Sequence, residues 1–114
     1  MFVAGGVKMS ASELYIGEDA DGQFVVVDLS KAATWELFER IRDGMAAIVP
    51  EYIPQFEGEA AGGVMSIADL PSAAFMDASR TIIQACDEVA VLQPFKAELK
   101  TALEADPRFK KAAA

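Results

Sequence analysis

The chain reads as an α+β fold, an N-terminal β-hairpin or small antiparallel sheet packed on about three helices. Three observations predict it. Residues 13–28 place β-branched and aromatic runs on either side of an Asp21-Gly22 turn signal. Residues 31–49 and 72–103 carry apolar side chains at three- and four-residue steps. Pro50 and Pro94 then divide the helical part into separate rods.

Each element follows from local chemistry. Leu14-Tyr15-Ile16 and Phe24-Val25-Val26-Val27 are the strands, joined by an acidic loop in which Gly22 accepts positive φ and aspartate bonds to neighbouring backbone. Two strands alone are marginal in water, so the hairpin must rest on a helix, gain strands from residues 2–7 or pair with another chain. Ser30 is placed to cap a helix over 31–49, whose apolar side is Ala33, Leu37, Phe38, Ile41, Met45, Ile48 and Val49, with Trp35 at its margin. Gly44 within it marks a close approach of the hairpin or another helix.

Residues 51–70 read as an irregular loop, too apolar at Tyr52, Ile53, Phe56, Val64, Met65 and Ile67 for a plain linker. A single helical turn is expected over residues 66–69. From Ser72, read as a cap, Phe75, Ser79, Ile82, Cys86 and Val89 form one stripe, opposite Asp77, Arg80, Gln84, Asp87 and Glu88. Pro94 lacks an amide hydrogen and suits the start of a new helix, in which Phe95, Leu99, Ala102 and Leu103 face inward. Asp106-Pro107 ends it.

At 114 residues the chain is expected to be a single small domain, 1–114, with flexible ends at 1–9 and 106–114. A hydrophobic fraction of 53% with 25% charged residues and a mean hydropathy of +0.22 excludes a chain disordered throughout. No apolar run approaches the roughly 20 residues that span a bilayer. Residues 1–9 make a poor secretory signal, and a cytoplasmic location is expected by default. Met9 is an alternative start.

The charge is placed unevenly. Residues 1–95 hold fifteen acidic and five basic side chains, a net of −10, whereas 96–114 hold three and five, a net of +2. Between Arg42 and Arg80 no basic residue occurs. Such a body repels phosphate backbones, so direct nucleic-acid binding is not expected.

Most site chemistries are disfavoured. The absence of histidine and the single Cys86 remove the usual zinc and haem ligands and any histidine-based triad, so no cofactor is expected. Asp19, Asp21, Gly22 and Asp28 match positions three, five, six and twelve of a calcium loop, but Gly17 stands at position one and the flanks read as strand, which favours a plain acidic turn. The carboxylate pairs Glu57 with Glu59 and Asp87 with Glu88 show no sign of burial. Cys86, on the apolar stripe, reads as a small core residue.

The functional expectation is a small acidic, non-enzymatic protein-interaction protein: an adaptor, an assembly-chaperone-like accessory factor or a homo-oligomeric subunit. Its partner would be a protein with a basic or apolar surface, or a second copy of the chain. The expected contact residues are Trp35, Tyr52, Ile53, Phe56, Glu57, Glu59 and Met65, with Glu18, Asp19 and Asp21 at the hairpin tip. The alternative is an acidic inhibitor that mimics nucleic acid and occupies a basic groove.

Overall fold

The computed structural model describes residues 11–109. The expectations for a strand at 2–7, a flexible 1–9 and a start at Met9 lie outside the described residues. Within them the order is β1 (Glu13–Glu18), β2 (Phe24–Asp28), α1 (Lys31–Ile48), a 3₁₀ turn (Pro50–Tyr52), α2 (Ile53–Ala61), β3 (Met65–Ser66), α3 (Ser72–Glu88), a 3₁₀ segment (Ala90–Phe95) and α4 (Lys96–Glu104). This is an α+β fold. One sheet, in the order β2-β1-β3, lays its inner face on the helices.

The hairpin forms around Asp19, whose Oδ1 accepts the amides of Asp21 and Gln23, both at 2.9 Å. Gly22 sits at φ +80 in the turn. A bulge in β1 between Tyr15 and Gly17 shifts the register. The hairpin gains its third strand from Met65–Ser66, which runs parallel to β1, so the sheet is mixed rather than purely antiparallel. A 36-residue helical connection from β2 made that parallel partner invisible to local pattern, because a two-residue strand has no periodicity to read.

Ser30 caps α1 as expected, accepting the amide of Ala33 at 3.1 Å. Gly44 marks an approach of α3: a Cβ there would stand 2.8 Å from Asp77 Oδ2. Three local readings change. The 51–70 segment is largely ordered as the 3₁₀ turn, α2 and β3, because Pro50 and Pro54 each occupy a first-turn position, where a missing amide hydrogen costs nothing. Residues 66–69 form a strand end and a turn instead of a helical turn, with Ser66 Oγ accepting the Ala68 amide. Pro71, not Ser72, occupies the cap position of α3.

The long amphipathic run also breaks earlier than Pro94. α3 ends at Glu88, Val89 is extended, and Pro94 lies inside the 3₁₀ segment that follows. An ion pair from Lys96 to Asp87 ties the start of α4 to the end of α3 across that break. The core joins Leu14, Ile16 and Val27 of the sheet to Phe38, Phe75, Ile82 and Leu99 of the helices. Cys86 is buried among them, and burial, with the Asp87 charge beside it, pushes its thiol pKa up and keeps it protonated.

Residues 106–109, assigned by sequence to a flexible end, are packed. Asp106 is only 3% exposed. The Arg108 guanidinium lies 4.0 Å from the Phe75 ring centroid and donates to Asp106 Oδ1 and Oδ2 and to the carbonyls of Ile16, Ile67, Ala68 and Leu70. One side chain thereby fastens the chain end to β1 and to the turn after β3. Charge-assisted, multiply bonded contacts hold a tail that composition alone marks as loose.

Candidate interaction surface

The sheet leaves one face uncovered. Alternation along β2 sends Val25 and Val27 inward and Phe24, Val26 and Asp28 outward. Phe24 is 71% exposed and Val26 45%, the two largest apolar exposures on β2. Tyr15 of β1 meets Phe24 edge to face, with ring centroids 5.7 Å apart. These three side chains form an apolar patch on the outer face of the hairpin.

β2 is also the edge of the sheet. Its outer flank opens onto a groove of about 520 Å³, lined by Val25, Val26 and Val27 and by Ala97, Glu98, Thr101, Ala102 and Ala105 of α4. Carboxylates surround this region. Residues 11–30 contain Glu13, Glu18, Asp19, Asp21 and Asp28 and no lysine or arginine. Most arginines elsewhere are engaged: Arg40 with Glu36, Arg42 with Glu57 and Arg108 with Asp106.

The residues expected from sequence to touch a partner separate into distinct groups. Phe56 is 2% exposed and Met65 fully buried, so both are core side chains and that reading is corrected: an apolar segment read as a surface loop became a helix and a strand with an inner face. Tyr52 and Ile53 are partly buried against the core. Trp35 is 38% exposed, the outer ring of a stack that continues through Phe38 to Phe56 at centroid separations of 5.7 and 5.2 Å. Glu57 faces Arg42 at 3.8 Å, while Glu59 takes a long contact from Gln55, which also donates to Asp69 at 2.7 Å. Glu18 and Asp21 are exposed at the hairpin tip, whereas the Asp19 carboxylate is occupied in holding the turn.

Phe24 and Val26 were not singled out by sequence reasoning, although the signal existed. Four consecutive apolar residues in a strand leave apolar groups on both faces, and only one face can rest on the helices of a small domain.

The arrangement has the chemistry of contact rather than of reaction. Asp87 is paired with Lys96 and Glu88 accepts from Gln84, so the carboxylate neighbours of the sequence have separate partners. Among the described residues no group of three or more acidic, cysteine or histidine side chains is arranged to hold a metal ion, and no helix is long and apolar enough to cross a membrane. No known protein family, characterised protein or solved structure matches the chain.

Proposed function

We propose that this is a non-enzymatic protein-interaction protein, an adaptor or accessory subunit, whose contact surface is the outer face of the hairpin rather than the 51–70 segment. The observation that carries the reading is the exposure of Phe24 and Val26 side by side on a strand rimmed only by carboxylates. An exposed apolar patch with a polar rim is the common form of a protein-binding site. The partner is a protein with a complementary apolar centre and basic surroundings.

The test compares the chain with a double variant, Phe24→Ser with Val26→Thr, as bait in extract from its own source. Both changes lie on the solvent face of a strand and are expected to alter stability by about 0.5 kcal/mol or less. The expected result is a protein retained by the unaltered chain in low and high salt and lost with the double variant. Retention unaffected by the double variant, or no retained protein, would overturn the reading. Loss of every retained protein at high salt alone would instead favour the nucleic-acid mimic, whose binding rests on screened charges.

A further inference from the structure

We propose that the open edge of β2 binds an extended partner segment in which apolar residues alternate with lysine or arginine, adding it to the sheet as a further strand. This rests on the interaction reading above and specifies its mode.

The backbone supplies the first argument. Gly22 closes the turn on Asp19, the Asp19 amide donates to the Gln23 carbonyl, and at the base the Leu29 amide donates to the Ser12 carbonyl. These bonds set the phase of an antiparallel ladder in which alternate residues face the neighbouring strand. Val25 and Val27 thus bond towards β1, and the amides and carbonyls of Phe24, Val26 and Asp28 face the open edge. A row of such groups is a template for another strand.

The edge also lacks the usual protection. Exposed edge strands are ordinarily blunted by lysine, proline, a bulge or a covering element. Phe24–Asp28 contains no lysine or proline, the bulge of this hairpin lies in β1, and α4 stands beside β2 across an open groove without closing it. Only Asp28 interrupts the apolar run.

Charge and shape then select the occupant. A strand laid on this edge directs alternate side chains to opposite faces. Those on the inner side enter the groove over Ala97, Thr101 and Ala105, where small side chains leave room for valine- or leucine-sized groups. Those on the outer side run beside Phe24 and Val26 and end among Glu13, Glu18 and Asp28. Lysine and arginine suit that side, since their alkyl stems cover apolar surface while their heads reach carboxylates. A second copy of this chain is a poor occupant, because joining two β2 edges would bring together two hairpins that each carry five carboxylates and no basic residue.

The experiment titrates isotope-labelled full chain with a capped synthetic peptide of about eight alternating valines and lysines, followed by amide resonances. Saturable shifts are expected at 24–28 and 97–105, with binding several-fold weaker at about 0.5 M salt. N-methylation of alternate peptide amides is the deciding arm. Methylation in one phase removes the hydrogens facing β2 and is expected to weaken binding about tenfold or more, while the opposite phase, facing solvent, changes it little. Equal effects of the two phases, shifts confined to other elements, equal binding of a valine-glutamate peptide, no binding, or dimerisation of the free chain abolished by the Phe24 and Val26 changes would each overturn strand addition. Failure here with partner loss in the double variant leaves the interaction reading standing; phase-selective peptide binding without any partner loss reverses that outcome.

Discussion

At the scale of single residues, Arg108 does more than its place near the chain end suggests. Burial alone would push the Asp106 carboxyl pKa up, but hydrogen bonds from the Arg108 side chain and amide, together with its charge, outweigh that and leave it below the ordinary 3.8. A carboxylate held low in the folded state stabilises fully above its unfolded pKa. That contribution is lost as pH falls through the folded value. Wild type is therefore expected to lose more stability below about pH 4 than Asp106→Asn does, measured by urea unfolding across pH. Arg108→Ala leaves a buried carboxylate and four carbonyls without this donor, and is expected to cost about 3 kcal/mol in the same assay at pH 7. A loss under 1 kcal/mol would show that the tail is not held as described. Gly17 belongs to the same cluster: at φ +150, a Cβ would lie 2.6 Å from Asp106 Oδ2 and 2.7 Å from an Arg108 nitrogen, so glycine is required both by backbone and by space.

At the scale of elements, α1 shows local chemistry and packing agreeing. Ser30 satisfies the Ala33 amide, and Thr34 returns its hydroxyl to the Ser30 carbonyl at 2.8 Å. Ser30→Ala is expected to lower stability by about 1 kcal/mol, whereas Ser72→Ala, at a residue inside α3 rather than at its cap, should change it by less than half that. Equal losses in thermal unfolding would contradict the cap assignment. Gly44 is different in kind, since Asp77 of the facing helix occupies the space a side chain would take. The α3-to-α4 break shows why a proline is an imperfect boundary marker. Pro94 forbids continuation of one α-helix through itself, but a 3₁₀ segment accommodates it, and the break moves back to Val89.

At the scale of the whole molecule, a net charge of −8 is spread over a small body, and most of the arginines are already paired. Self-repulsion of this kind destabilises the compact state and is screened as the Debye length falls from about 10 Å at 0.1 M salt to about 3 Å at 1 M. Added sodium chloride is expected to raise the unfolding temperature of the free chain while weakening its hold on a basic partner. A fall in Tm over the same range would mean that surface ion pairs contribute more than repulsion. The two salt responses have opposite signs because one relieves like charges and the other screens unlike ones.

The sequence by itself determined the hairpin, its turn at Asp21-Gly22, the cap and faces of α1, the apolar stripe of α3 and the inertness of Cys86. All are set by neighbours a few residues apart, where periodicity and backbone preference act directly. Tertiary structure decided the parallel β3, the inward turn of Phe56 and Met65, the fastening of Arg108 and, above all, which face of β2 stays bare. Those outcomes depend on which apolar surface finds cover, and in Phe24-Val25-Val26-Val27 both faces are apolar while the helices bury only one. The interaction surface is the remainder of that competition, so it became visible only when the other face had been filled.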